Sequence, residues 1–217
     1  MLAARLGSVQ AGDFAEFPKV RLVDEKGAPF RASSLPVGEA HLFHYPYRST
    51  PCFLINLGKP AAGAQQLAAE WGSYSWPGGT GKQNSIVSYV AICSHQLSFP
   101  DKEGSAIRYA AEGSEIAGKP GMIVCCAHAS VFDPTAGAKR VHGEATDPLA
   151  AIRLDYDAAS DSLVASGVAG VQLIERFFSV HKRRLIEDYG PGVYREPVGD
   201  STAVVPFAKY TASPSRC

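Results

Sequence analysis

The sequence predicts a mainly β fold that ends in one short helix and an extended tail. Short apolar runs rich in β-branched and aromatic residues alternate with Gly and Pro turns, and only one stretch has helical spacing. With 217 residues, 46% of them hydrophobic and 19% charged, the chain can bury a sizeable core. Lys+Arg and Asp+Glu both total 21, so the overall charge does not favour nucleic acid or an anionic membrane surface as a partner.

The first part of the chain predicts short strands. Residues 17–23 alternate apolar and polar side chains, and residues 41–47 and 51–58 predict two buried strands joined by a turn. His41 and His44 lie in the first of these strands, so we interpret them as strand residues rather than as a metal pair. Residues 61–71, rich in Ala, Gln, Leu and Glu, predict a short helix.

Further strands follow to residue 170, and the character then changes. Residues 85–92 are the clearest strand, and we expect others at 106–110, 122–125, 139–142, 149–156 and 162–170. Residues 172–189 place Leu173, Phe177 and Val180 on one stripe, which predicts a helix. The Gly-Pro-Gly sequence at 190–192 ends it. The last residues, 193–217, contain three prolines and are expected to be extended.

These patterns predict a β domain over residues 1–170 and a C-terminal helix and extended tail over residues 171–217. No apolar run approaches the roughly 18 to 20 residues that span a bilayer. The N-terminal stretch is too short and interrupted for a secretory signal. We therefore expect either a cytoplasmic protein or one whose leader or anchor is absent from this sequence.

Two short boxes within the β domain, in about residues 88–148, carry the chemistry. The first contains Cys93-Ser94-His95, and the second contains Cys125-Cys126-Ala127-His128. Each box offers one thiolate and one imidazole, which suit zinc or iron–sulfur chemistry. Structural zinc modules usually pair like ligands within small metal-dependent folds. One Cys and one His from each loop instead match a two-iron cluster in which one iron takes two thiolates and the other takes two imidazoles.

The boxes resemble the ligand loops of Rieske iron–sulfur proteins, whose pattern is C-x-H followed by C-x-x-H. The resemblance implies a [2Fe–2S] cluster held by Cys93, His95, Cys125 and His128, within a fold of stacked antiparallel sheets. Ser130 matches the family serine that hydrogen-bonds a bridging sulfide. Phe132-Asp133 matches the aromatic–Asp pair that follows the second box.

The chain departs from the quinol-oxidising members of this family. Those members carry a second cysteine in each loop and join the two in a disulfide, whereas the matching positions here are Ser98 and Ala127. Phe132 lacks the hydroxyl that donates to a ligand cysteine in high-potential members. Without this donor the reduced cluster is less stabilised, so we expect a lower reduction potential than in those members. Cys126 is displaced by one residue, and we interpret it as a free or buried thiol.

The resemblance implies one-electron transfer, as a subunit or peripheral partner of a respiratory oxidoreductase or cytochrome complex rather than as an enzyme alone. The expected partner is a redox protein such as a cytochrome or an oxidoreductase subunit, and a quinol that hydrogen-bonds His95 or His128 is a further candidate. Two alternatives stay open: a soluble Rieske ferredoxin serving an oxygenase, and a structural zinc protein that uses the same two cysteines and two histidines.

The remaining cysteines bear on the compartment. Cys217 follows an extended tail and could bridge to Cys52, while two separate free thiols are the alternative. A bridge would imply an oxidising compartment, and hence an export signal that is removed or separate. We favour the periplasmic side of a membrane complex, and the cytoplasm is the alternative.

Overall fold

The computed structural model describes residues 14–217, so residues 1–13 of the predicted β domain lie outside the described part. The strands, in chain order, are β1 (Ala15–Val23), β2 (Ala40–His44), β3 (Pro51–Asn56), β4 (Gln65–Leu67), β5 (Tyr74–Trp76), β6 (Ile86–Val90), β7 (Gly104–Ser105), β8 (Ile107–Ala110), β9 (Met122–Cys125), β10 (Ser130–Asp133), β11 (Lys139–His142), β12 (Ala151–Asp157), β13 (Ser162–Ala169), β14 (Ser201–Ala203), β15 (Val205–Pro206) and β16 (Ser213–Pro214). The α-helices are α1 (Val171–Val180), α2 (Lys182–Tyr189) and α3 (Phe207–Tyr210).

The predicted mainly β fold is confirmed. Among residues 14–217, an eight-stranded sheet has the order β14-β1-β13-β12-β6-β3-β2-β15, and a four-stranded sheet has the order β11-β10-β9-β8. Two small sheets pair β16 with β7 and β4 with β5. Most pairings are antiparallel, while β14 on β1 and β16 on β7 are parallel.

The large sheet is the middle layer of three, because successive side chains of its central strands enter different cores. In β3, Leu54 belongs to the same buried cluster as the helix side chains Leu173 and Phe177, whereas Phe53 belongs to the cluster that contains Ile123 of the four-stranded sheet. A strand covered on both faces is apolar along most of its length, which is why β3 is apolar except for Asn56 and β6 except for Ser88. The four-stranded sheet thus lies on one face of the large sheet, and α1 and α2 lie on the other.

The tail after α2 is largely extended, as predicted, and it contributes strands at both edges of the large sheet. β14 pairs with β1 at one edge, and β15 pairs with β2 at the other. The predicted boundary between residues 170 and 171 falls where β13 ends and α1 begins. The division into two domains stays a prediction. In residues 14–217, no helix is long and apolar enough to cross a membrane.

Two predictions of local structure need correction. The helix predicted over residues 61–71 is wrong, because this segment contains β4, whose Leu67 is buried with Trp76 of the paired β5. The helix predicted over residues 172–189 is interrupted at His181, whose φ of −96° and ψ of 14° separate α1 from α2. His181 packs its ring against Phe99 and Phe177, so a tertiary contact accompanies the break.

The predicted fates of the cysteines also need correction. Cys217 forms a disulfide with Cys126, not with Cys52, and Cys126 is therefore not a free thiol. Cys52 is a free, buried thiol that donates to the carbonyl oxygen of Tyr45 at 3.2 Å. The sequence could not reveal this pairing, since Cys126 and Cys217 are 91 residues apart and meet only through packing of the tail.

Candidate metal centre

The two ligand boxes form loops of the same design. In the first loop, the Cys93 N–H donates to the Ser98 carbonyl at 2.8 Å, and in the second, Cys125 pairs with Ser130 across β9 and β10. The residue before each serine, Leu97 or Ala129, has a positive φ of 60° or 52°. Non-glycine residues rarely adopt this conformation, which here closes both loops tightly. Each box is therefore a four-residue turn between a cysteine and a serine.

The two thiols meet at the base of the loops. Cys93 and Cys125 are 2% and 1% exposed, and their sulfur atoms share a hydrogen bond. This bond lowers the pKa of Cys125 to about 7, with further donation from the N–H groups of Ala127 and His128. The same hydrogen bond raises the pKa of Cys93, and burial of this thiol raises it further. A deprotonated sulfur is the form that binds metal, so these donors favour ligation.

The two imidazoles lie together nearer the surface. The rings of His95 and His128 are perpendicular, with centroids 4.9 Å apart, and both residues are partly exposed. His95 Nδ1 is buried and has no hydrogen-bond partner among the described residues. His95 Nε2 lies 3.6 Å from Oε2 of Glu144. A ring nitrogen that is buried without a partner is costly unless it binds something, and ligation of iron would satisfy it.

A third loop, residues 143–148, packs against both ligand loops. Ser94 donates its hydroxyl to the Asp147 carbonyl at 2.8 Å, and the Ala145 N–H donates to Ser130 Oγ at 3.0 Å. Ser130 is fully buried and accepts this bond, so its own hydroxyl proton stays available to a neighbouring acceptor. Gly143 has a φ of +87°, and a Cβ there would overlap the backbone of Ala129. Only glycine allows this loop to approach so closely.

Helix α1 and His181, which follows it, also contact the first ligand loop. Arg176 donates from Nη2 to the His95 carbonyl at 2.8 Å. The His181 ring hydrogen-bonds the backbone of Leu97, and burial lowers its pKa. Phe99 packs edge to face on Phe177 at 4.9 Å between centroids. The backbone beside the predicted ligands is thus held by the helical layer as well as by the sheets.

The four predicted ligands are brought together as two pairs, a buried thiol pair and a more exposed imidazole pair. In the part of the chain that the structure describes, no three His, Cys, Asp or Glu side chains are placed as ligands of one ion. A two-iron cluster with thiolates on one iron and imidazoles on the other requires this paired arrangement. The donor set, the N–H groups aimed at the sulfur atoms and the unpartnered Nδ1 of His95 therefore fit such a group.

Sequence reasoning recognised Ser98 only as the residue in place of a cysteine. In the structure, the Ser98 hydroxyl donates a hydrogen bond to the sulfur of Cys125 in the other loop. The signal was present in the sequence, because Cys93 and Cys125 are each followed by a serine five positions later. The role of Glu144 beside His95 had no such signal, since the third loop is placed by tertiary packing.

Comparison with known proteins shows a likeness to solved structures. No protein-family model matches this chain. Among solved structures, the chain is similar to the soluble domain of the Rieske protein II (soxF) from Sulfolobus acidocaldarius, with 21% sequence identity and a TM-score of 0.48. The alignment covers 70% of this chain and 78% of that chain.

Proposed function

We propose that this protein is a one-electron carrier that holds a Rieske-type [2Fe–2S] cluster, with Cys93 and Cys125 on one iron and His95 and His128 on the other. The observation that carries the proposal is the arrangement of these side chains as a buried thiol pair and a partly exposed imidazole pair. When bound, such a cluster accepts and releases one electron at a potential of roughly −150 to +300 mV.

The protein contributes by holding the ligands and by balancing their charge. N–H groups of His95 and Gln96 point at the sulfur of Cys93, and those of Ala127 and His128 point at that of Cys125. Hydrogen bonds to thiolates stabilise negative charge, so they favour the reduced state of the centre. The Ser130 hydroxyl would donate in the same way to a sulfide of the cluster.

The surroundings separate the buried side of the site from its exposed side. Leu97 and Phe132 are 1% and 0% exposed, so the thiol side is kept dry. The His95 side chain is 23% exposed and faces Glu144. An electron partner would approach the imidazoles, because they form the more exposed side of the site.

We infer a role as a subunit or peripheral partner of a respiratory oxidoreductase or cytochrome complex. The Cys126–Cys217 disulfide supports an oxidising compartment, and thus the periplasmic side of such a complex. The partly exposed imidazoles suit contact with a redox protein such as a cytochrome, and a quinol that hydrogen-bonds a ligand histidine is the small-molecule candidate.

Spectroscopy of the purified full-length chain tests the proposal. We expect a red-brown protein with two iron and two labile sulfide per chain and an electron paramagnetic resonance signal after reduction. Cys125→Ser should lose the cluster, whereas Cys52→Ala, a change at a free thiol in β3, should retain it. A colourless protein with one zinc per chain would replace the proposal by the structural zinc alternative.

A further inference from the structure

We propose that Cys217 is a positioning residue for the second ligand loop. We call residues 211–217 the C-terminal strap. The strap links the second ligand loop to the segment that follows the first ligand loop. It thereby takes the place of the disulfide that Ser98 and Ala127 cannot form. This inference rests on the proposed function, because the loop is positioned for a cluster. It concerns residues outside the ligand set.

The covalent end of the strap lies within the second ligand box. Cys126 stands between the predicted ligands Cys125 and His128, and its Cα is 5.6 Å from that of Cys217. The Cys126 N–H donates to the Ala106 carbonyl at 2.7 Å, so the backbone here is restrained as well. Cys217 also packs against the small apolar cluster that contains Val124 and Val131. Movement of the strap would therefore displace the second ligand loop as well.

The rest of the strap is bound to the segment between the two ligand boxes. The Ala212 N–H donates to the Lys102 carbonyl at 3.1 Å, and the Ser215 N–H donates to the Ser105 carbonyl at 2.8 Å. Between them, β16 pairs in parallel with β7. Arg108 donates from Nε to the Ser215 carbonyl at 2.8 Å. These contacts begin shortly after the first ligand loop, so the strap spans from one loop to the other.

The physical effect of the strap is to limit opening of the second loop. Residues 126–129 are a turn, and Ala127 at its tip is exposed. Without the disulfide, this turn would be held by its flanking strands, by the third loop and by the hydrogen bond from the Cys126 N–H to the Ala106 carbonyl. A loop that opens more often exposes bound iron to water and chelators, so the rate of cluster loss should rise.

The test compares cluster loss in loaded full-length variants. Cluster loss is followed by the decay of visible absorbance in the presence of a ferrous chelator, well below the unfolding temperature. We expect Cys217→Ser and Cys126→Ser to lose the cluster about tenfold faster than the parent, and the double variant to be no faster than either, because they cut one bond. Cys52→Ala should decay at the parent rate. The electron paramagnetic resonance spectrum of each single variant should show a shifted or broadened signal.

Several outcomes would overturn the inference without touching the proposed function. The inference would be overturned if the single variants lost the cluster at the parent rate with unchanged spectra. It would also be overturned if the effects of the two substitutions added up in the double variant. If the cysteine variants fail to fold, Arg108→Ala, which keeps the disulfide and removes one strap contact, decides instead. A several-fold faster decay would support the inference, and the parent rate would refute it. A parent protein without sulfide would instead refute the proposed function.

Discussion

Ser98 shows how one side chain acts on the candidate centre across two loops. It occupies the position in its loop that Ser130 occupies in the other, five residues after the loop's cysteine. Its hydroxyl donates to the sulfur of Cys125, whereas Phe132 is fully buried and offers no donor. The structure therefore shows one hydrogen-bond donor to a ligand sulfur that the expectation of a low reduction potential did not take into account. That expectation, relative to quinol-oxidising Rieske proteins, stays a prediction.

The Ser98 hydroxyl can be tested by removing it. We expect Ser98→Ala to lower the reduction potential by about 60 mV, since loss of a donor to a charged sulfur disfavours the reduced state by about tenfold. Ser98→Thr keeps a hydroxyl and should retain most of the parent potential. Redox titration followed by circular dichroism in the visible range measures both. An unchanged potential in Ser98→Ala would mean that this hydrogen bond does not affect the centre.

At the scale of elements, the helical layer and the first ligand loop form one unit. Arg176 of α1 reaches the His95 carbonyl, and Arg184 of α2 forms an ion pair with Asp101 at 3.5 Å. Phe177, fully buried between them, anchors α1 to Phe99 and to the core. The helices that follow the predicted β domain in the sequence thus help to support the loop that carries His95.

Removing the Arg176 side chain should loosen this support. We expect Arg176→Ala to lower the free energy of unfolding by about 1 kcal/mol through loss of the hydrogen bond to the His95 carbonyl. It should also accelerate cluster loss several-fold. Arg183→Ala is the matched control, because Arg183 is 94% exposed and forms an ion pair with Glu187 one turn away on the same helix. Chemical denaturation and chelator-driven decay provide the measurements, and identical behaviour of the two variants would contradict the role.

At the scale of the whole molecule, the tail closes both edges of the large sheet and buries polar groups there. The backbone N–H of His44, on β2, donates a hydrogen bond to Oγ1 of Thr202, on β14, at 3.2 Å. Its Nε2 lies 3.2 Å from the hydroxyl of Tyr210 in α3. Burial by these tail segments lowers the pKa of His44 to about 4. The folded protein therefore holds this ring neutral at pH values where the unfolded chain protonates it.

This difference predicts a pH dependence of stability with a definite sign. Above about pH 6.5, His44 is neutral in both states and has no effect. As the pH falls from about 6.5 towards 4, only the unfolded chain binds the proton, so the free energy of unfolding should fall by up to about 3 kcal/mol. His44→Gln should flatten the slope in this window. Denaturant unfolding of parent and variant at several pH values measures it, and parallel curves would rule His44 out as a cause.

Much of the fold and of the candidate site was predictable because it depends on local spacing. Apolar runs such as residues 86–90 form strands wherever both faces are covered, and the sequence shows the run directly. Each ligand box is closed within six residues, from Cys93 to Ser98 and from Cys125 to Ser130. The helix predicted over residues 61–71 failed because β4 gains more from pairing with β5 than local propensity contributes.

The sequence by itself therefore determined the mainly β class, the two Cys–His boxes and the chemistry that they predict. Only the tertiary structure decided that Cys126 bonds to Cys217, that Ser98 reaches Cys125 and that Glu144 lies beside His95. The physical reason is distance along the chain. Periodicity and spacing govern groups within a few residues, whereas contacts between distant segments depend on how all the layers pack together.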